Sequence, residues 1–331
     1  MNDEKPILSF AIPTWNRAKE LSECLDSIIS QIIESNENVE IVISDNASTD
    51  ETPKVVEEYL KKYNFIRYFR NEKNVGPDLN FISVIEKSNG KYAWLFSDDD
   101  WLNDGALKEI LRIIKNYEPC YISTNNYWSE KRNGEYFLPK TQIKFSIRKD
   151  MIRIDSNKVF LYRNHWLSFM STNIFCKKFM DLSDYKANVQ SVCYWIQVYM
   201  VAQVLNKNFC GYLSSYCAVI GRIGNNANRW DHSLTFLKLM PEEFCFIFNK
   251  FNVKKTVRKK VINGIRKSFL PLKTFLKEKD KNGENISPLL IPFYYKLFSV
   301  IPSNFIMFGW KLKRMLTGKG FSLPQNSKTE D

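Results

Sequence analysis

Histidine is almost absent. The chain of 331 residues has two, His165 and His232, which leaves little room for an imidazole-rich metal site. No Gly-x-Ser-x-Gly elbow accompanies them, so serine-hydrolase chemistry is not expected. The seven cysteines (24, 120, 176, 193, 210, 217, 245) are scattered and include no CxxC pair. That spacing excludes a zinc ribbon or dithiol motif and reads as reduced thiols of a cytoplasmic protein, several of them in the core. Repeats and low-complexity tracts are missing. So is a clean apolar run of the ~20 residues that a spanning helix needs. The nearest candidate, Ile286 to Trp310, is broken by Pro288, Pro292, Lys296 and Pro302. Met1 to Pro6 is polar, so no secretory leader is expected.

Charge is present in excess but unevenly. The formal net charge is +12. Residues 250–331 hold 18 Lys and Arg against 5 Asp and Glu, and residues 1–249 hold 30 against 31. The basic pI therefore belongs to the tail. There Lys254, Lys255, Arg258, Lys259, Lys260, Arg266 and Lys267 alternate with Val253, Val257, Val261, Ile262, Ile265, Phe269 and Leu270. This is the pattern of a basic amphipathic helix. Its expected partner is an anionic membrane surface, with a helical subdomain bearing a solvated basic face as the alternative. No nucleic-acid-binding motif is present, so nucleic acid is not an expected partner. The domains expected are 1–249, divided into halves 1–120 and 121–249, and a membrane-associating region 250–331.

The densest chemistry lies at Leu95-Phe96-Ser97-Asp98-Asp99-Asp100-Trp101. An apolar strand ends there in three carboxylates. Adjacent carboxylates at a buried strand end repel unless a cation neutralises them. Hard divalent ions, Mg²⁺ or Mn²⁺, take carboxylate oxygens together with substrate phosphates. In open α/β sheets, ligands bind at the carboxyl ends of strands.

Three earlier strand ends repeat the arrangement. Ile7 to Ile12 runs into Pro13-Thr14-Trp15-Asn16-Arg17, and Val39 to Ser44 into Asp45-Asn46-Ala47-Ser48-Thr49-Asp50. Ile66 to Phe69 leads to Asn74-Val75-Gly76-Pro77-Asp78-Leu79-Asn80. Each polar joint is followed by apolar residues at helical spacing. The alternation predicts an α/β fold, a mostly parallel sheet with helices on both faces. Asp45 can accept from a nucleobase N–H, and Asn16, Arg17 and Asn80 can orient base, ribose or phosphate. Gly76 permits close backbone approach. Taken singly, each joint is also an ordinary turn.

Together these four segments resemble the family 2 glycosyltransferases of the GT-A fold, most closely in pattern the abequosyltransferase-type enzymes of bacterial surface polysaccharide assembly. The resemblance covers residues 6–120, fades towards 235 and does not reach the tail. It implies a GT-A, Rossmann-like fold and a nucleotide-sugar donor; the amphipathic pattern of the tail adds a helical C-terminal appendage. Pro13, Thr14, Asn16 and Arg17 would line the nucleotide pocket, with Asp45 at the base and Asn46 beside it. Asn74, Gly76 and Asn80 would border the ribose and diphosphate. The acidic triplet would be the DxD-type element. Aligned to the usual Asp-x-Asp-Asp, Ser97 takes the first position and Asp99 the metal-binding one. Read literally, Asp98 and Asp100 form the pair. Asp99 is the preferred metal ligand, with Asp98 and Asp100 beside it.

The resemblance also exposes a departure. Inverting enzymes of this type carry a Glu-Asp pair just before a helix in the acceptor half, and its Asp is the general base. The matching place here, Ser191-Val192-Cys193-Tyr194, has no carboxylate. Between 151 and 230 the acidic residues are Asp155, Asp181 and Asp184. Asp184, Asp181 and His165 are therefore the candidate bases, each with a plain turn or cap role as the alternative. Arg222 and Arg229, near Gly221 and Gly224, are candidates to neutralise the leaving diphosphate. The expected activity is metal-dependent transfer from a nucleotide-sugar to a glycan or lipid-linked oligosaccharide, at the inner face of the cell membrane, by an enzyme that can be oligomeric. A sugar-phosphate nucleotidyltransferase and a non-catalytic glycan-binding protein are the alternatives.

Overall fold

A computed structural model describes residues 5–132, 135–137, 149–163, 167–192, 195–206, 208, 210–222 and 240–269. The first half alternates as the spacing predicts. Strand β1 (Leu8–Thr14) leads to α1 (Ala18–Ser35), β2 (Val39–Asp45) to α2 (Thr52–Lys62), β3 (Ile66–Arg70) to α3 (Pro77–Lys87), and β4 (Tyr92–Leu95) to the short β5 (Trp101–Leu102) and α4 (Ala106–Tyr117). β1 and β2 are buried at every position, the signature of parallel strands covered on both faces. Helix α1 buries Leu21, Leu25, Ile28 and Ile32 on one stripe. Its chain reverses at Asn36, whose φ of 50° is left-handed, a conformation Asn tolerates.

The second half is less regular. It contains β6 (Tyr121–Arg132), β7 (Glu135–Phe137), β8 (Met151–Ile154), α5 (Ser156–Arg163), β9 (Asn173–Cys176), α6 (Leu182–Asn188), α7 (Ile196–Asn206), β10 (Gly211–Arg222), α8 (Met240–Lys250) and α9 (Lys255–Phe269). The sheet order is β3-β2-β1-β4-β9-β6-β10-β5, with β7 on β6 and β8 on β10. β1 to β4 are mutually parallel along this order. β9 enters antiparallel between β4 and β6, so β6 again runs parallel to β4. β9 is short, because residues 170–172 form a 3₁₀ turn ahead of it.

Two apolar cores cover the two faces. On one, α1 and α4 pack Leu25, Ile28, Ile110 and Ile114 against Phe10, Trp94 and Phe96. Phe10 stacks on Trp94 with ring centroids 5.0 Å apart. The other core gathers Ile82 and Ile85 of α3, Val159 and Phe160 of α5, most of α7, and Phe244, Phe248, Val253, Val257 and Val261 of the last two helices.

Two expectations change here. The apolar stripe of the basic helix is not left for a membrane over its first turns. Val257 and Val261 are buried in the core shared with α5 and α7, so the core runs through residue 250 without a break. Lys254, Lys255, Lys259 and Lys260 stay exposed; residues 270–331 lie outside the described part. Not all cysteines are free thiols either. Cys120 and Cys210 form a disulfide, their Cα atoms 5.3 Å apart. They sit at the starts of neighbouring parallel strands, a proximity that a separation of 90 residues hides.

The entry to β4 depends on close approach. Gly90 donates to Ser9 Oγ at 2.8 Å, and Glu40 Oε1 accepts from Ser9 Oγ at 2.6 Å. A Cβ at Gly90 would lie 2.5 Å from Ser9 Oγ and 2.7 Å from its backbone nitrogen. Gly90→Ala is expected to lower unfolding free energy by about 2 kcal/mol or more, the scale of overpacking a tight interior. Urea denaturation measures it, and an unchanged midpoint would contradict this packing.

Candidate active site at the carboxyl edge of the sheet

The acidic triplet leaves β4 at its carboxyl end, and each carboxylate is held by a different element. Thr14, the last residue of β1, donates its hydroxyl to Asp98 Oδ2 at 2.7 Å. Arg17 Nη1 lies 2.9 Å from Asp99 Oδ2, and Ser97 Oγ donates to Asp99 Oδ1 at 2.6 Å. Ser171 Oγ donates to Asp100 Oδ2 at 2.5 Å and accepts from the Ser97 amide at 2.8 Å. Asp98 and Asp100 are buried and Asp99 half-buried. Burial, and then the charge of Asp99, pushes the Asp98 carboxyl up to about 7. The same causes raise Asp100 well above the carboxylate range. Burial alone would lower the pKa of Arg17, but Asp98 and Asp99 outweigh it and hold the guanidinium firmly charged.

The remaining strand ends are tied into one lattice by amide side chains. Asn16, at a left-handed φ of 53°, accepts from the Thr49 amide at 2.7 Å, and its own amide donates to Ser48 Oγ. Asn46 accepts from Val75 N at 2.9 Å and Asn71 Nδ2 at 3.1 Å, and donates to Asn74 Oδ1 at 2.8 Å and Gly76 O at 3.2 Å. Asn80 donates to Ser44 O and accepts from Ser44 Oγ at 2.7 Å. Gly76 takes φ +85° immediately before α3, which explains glycine there although a Cβ would meet nothing within 4 Å. Pro13 lies in β1, opposite Ser44 of β2.

Asp45 is placed differently from the base-reading role that the resemblance implies. It is fully buried. Its Oδ1 accepts from Ser48 N at 2.8 Å and its Oδ2 from Tyr68 OH at 2.6 Å. Arg70 Nε lies 3.5 Å from the same Oδ2, and these contacts shape the loop. Asn46 and Asn80 are likewise buried inside the lattice. Trp15, by contrast, is 45% exposed beside Asn16.

The acceptor half redistributes the expected roles. Asp181 caps α6, accepting from Asp184 N at 3.0 Å and Ser183 Oγ at 2.6 Å. Asp184 accepts from Tyr199 OH at 2.7 Å and pairs with Lys250 at 2.9 Å. Both carboxylates thus have structural partners at α6. Arg222 is the last residue of β10, not a loop residue. It pairs with Glu23, and its guanidinium lies 3.8 Å from the centroid of the Trp101 ring, which fixes β10 against the end of the acidic motif. His165 and Arg229 lie outside the described residues.

One carboxylate escaped the sequence reading. Asp78, in the first turn of α3, is 7% exposed, and its Oδ1 accepts from the Ile196 amide at 3.3 Å. Ile196 begins α7, so Asp78 sits at the start of that helix, whose preceding sequence 191–194 holds no carboxylate. The cue in the sequence was its place two residues after Gly76; the contact spans 118 residues.

Among the described residues, no group of three or more acidic, His or Cys side chains is arranged to hold a metal. The donor set still fits a divalent ion. Two of three adjacent carboxylates are buried with raised pKa, against one guanidinium, and hard oxygen donors suit Mg²⁺ or Mn²⁺. Such an ion would take one or two carboxylates here and complete its shell with diphosphate oxygens.

The glycosyl transferase family 2 profile matches residues 9–175. The chain belongs to this family. Among curated relatives, abequosyltransferase RfbV of Salmonella typhimurium is 45% identical over 112 residues, 34% of this chain and 32% of its own length. The GalNAc(5)-diNAcBac-PP-undecaprenol beta-1,3-glucosyltransferase of Campylobacter jejuni is 33% identical over 108 residues, 32% of this chain and 34% of its length. The chain thus spans about a third of each. Among solved structures, S. aureus TarS, also crystallised with UDP, superposes with TM-score 0.59 at 16% identity, over 87% of this chain and 77% of that one. A Pyrobaculum calidifontis mannosyltransferase in complex with GDP-Man and Mn²⁺ gives TM-score 0.52 at 11% identity, over 91% and 83%. The fold is the expected GT-A arrangement.

The amide lattice carries a test of its own. Asn46→Ala removes four hydrogen bonds to the 71–76 loop and is expected to cost about 2 kcal/mol or more of stability. Amide exchange over 71–76 should quicken in the same variant. Unchanged exchange there would remove Asn46 from the role of clamp.

Proposed function

We propose that the protein transfers a sugar from a nucleoside diphosphate donor to a hydroxyl of a glycan acceptor, in the assembly of a bacterial surface polysaccharide. The observation that carries this is the convergence of β1 and the β1–α1 joint on Asp98 and Asp99 at the end of β4, through Thr14 and Arg17. The nucleotide lies over the ends of β1 and β2, between Trp15-Asn16-Arg17, the loop held by Asp45, and the Asn74 to Gly76 turn. Trp15 offers it a flat apolar surface. Asp99, with Asp98 beside it, would hold a divalent ion that offsets the charge of the departing diphosphate. The Mn²⁺ seen with the archaeal mannosyltransferase supports that choice of ion.

The acceptor enters from the side of α7. We assign the general base to Asp78. It lies buried at the amino end of that helix, its Oδ1 accepting from the Ile196 amide. Its carboxylate takes the proton as the hydroxyl oxygen bonds to the anomeric carbon and the diphosphate leaves, which inverts the configuration. The undecaprenol-linked glycan in the name of the Campylobacter jejuni relative supports a lipid-linked acceptor. The exposed lysines at the start of α9 suit an anionic membrane surface reached by charge, with the apolar residues of its first turns already committed to the core.

Asp99→Asn is expected to abolish the Mn²⁺-dependent part of nucleoside diphosphate binding in a thermal-shift screen, with the free protein still folded. Unchanged affinity and unchanged EDTA sensitivity would take the ion away from Asp99. Asp78→Asn keeps an oxygen for the Ile196 amide but loses the basicity. It should lower kcat by ~100-fold or more while donor affinity stays the same. A variant with full turnover would exclude Asp78 as the base.

A further inference from the structure

The last residue of α5 is a buried cation with no carboxylate paired to it among the described residues. Arg163 is 3% exposed. Its Nη1 donates to Asn125 Oδ1 at 3.1 Å, while Nε and Nη2 are buried with no hydrogen-bond partner. Burial lowers its pKa to about 10. The nearby groups offer hydrogen bonds without negative charge. Asn125 is occupied with Ser215 O at 2.9 Å, Tyr121 OH donates to Asn173 Oδ1 at 2.6 Å, and the Ser123 hydroxyl is buried without a partner. A guanidinium in such surroundings is retained against its desolvation cost only where something pairs with it.

The open edge has a specific shape. Nε and Nη2 form the side-on face of the guanidinium, two parallel N–H donors matched to two oxygens of one phosphate or carboxylate. Its position is defined by the sheet. Ser123 of β6 is level with Asn173 of β9, which is level with Leu95 of β4. Asn125, two residues further on, therefore stands at the height where the acidic motif leaves β4. It is displaced along the sheet by two strand spacings, about 10 Å. Arg163 thus lies at the catalytic edge, on the acceptor side of the carboxylates and separate from the donor loops.

We infer that Arg163 is a binding residue for an oxyanion, phosphate or carboxylate, carried by the acceptor. The inference rests on the glycosyltransferase reading for the word acceptor, but the anion site stands on its own geometry. Arginine suits the task because a lysine cannot present two fixed parallel donors. A phosphate would belong to a lipid-linked acceptor and a carboxylate to an acidic sugar.

The test is a thermal-shift titration of the full chain with inorganic phosphate, with glucuronate, and with chloride at matched ionic strength. Wild type is compared with Arg163→Met and Arg163→Lys. Phosphate or glucuronate should raise the wild-type Tm where chloride does not, and the larger of the two shifts identifies the source. Arg163→Met should be at least as stable as wild type without oxyanion, because it deletes an uncompensated buried charge, and should lose the shift. Arg163→Lys should keep part of it, which preserves the test if the methionine variant fails to fold. Equal shifts in all three proteins, or none in wild type with either anion, would overturn the inference. Nucleoside diphosphate binding with Mn²⁺ should persist in both variants. Its absence from wild type would strike the glycosyltransferase reading and leave the oxyanion result intact.

Discussion

Like charge crowded at the end of a buried strand governs this molecule. Asp98, Asp99 and Asp100 follow one another where β4 emerges, and the described contacts set a single guanidinium against them. The chain separates them by partner. A β1 hydroxyl takes the first, a cation from the β1–α1 joint the second, and a serine ahead of β9 the third. Each of those contacts fixes an element relative to β4, so repulsion within the triplet becomes the means by which three segments are positioned. The residual imbalance is left in the raised pKa of Asp98 and Asp100. It is what a bound cation would relieve, and it is concentrated where a diphosphate would meet the sheet.

The uncharged polar residues around this edge have a different task. Strand ends leave backbone amides and carbonyls that the ladder no longer pairs. Asn16, Asn46, Asn71, Asn74 and Asn80 supply both a donor and an acceptor on one short side chain. Asn46 alone reaches three residues of the loop before α3 besides Asn71. Residues that looked from their order like ligand contacts are therefore in part the frame that holds other atoms, chiefly backbone and Thr14, Trp15 and Arg17, towards a ligand. Asp45 shows the framing role most sharply, since its oxygens accept from Ser48 of the following loop and Tyr68 of β3.

The donor half was legible in the sequence because its information is local. Each strand is a short apolar run, each joint is polar, and each helix repeats at helical spacing, so parallel order and the shared edge follow from neighbours in the chain. The acceptor half depends on contacts that skip most of the chain. β9 lies between β4 and β6 although it follows both. Cys210 finds Cys120 and Ile196 finds Asp78 across separations of 90 and 118 residues. No periodicity encodes such meetings. Asp181 and Asp184 drew attention by their nearness in sequence to the vacant position, and the partners that packing gives Asp184, Tyr199 and Lys250, come from α7 and α8. The basic helix misled by being amphipathic, a property that cannot say whether water, lipid or protein covers the apolar face. Val257 and Val261 answer that for its first turns.

The two halves meet the same edge with opposite electrostatic deficits. On the donor side, the three carboxylates face a single guanidinium among the described contacts. On the acceptor side, Arg163 is buried with no carboxylate against it. Neither deficit is cancelled by the other, because two strand widths of sheet and the neutral side chains of Asn173, Ser123 and Asn125 stand between them. Opposite charges that a fold could have paired but instead keeps apart are costly in the free protein. They are compensated together only when something bridges the edge, positive where it faces the carboxylates and negative where it faces the arginine. A cation with its diphosphate at one end and an anionic acceptor at the other satisfies both, and places the sugar to be transferred between them.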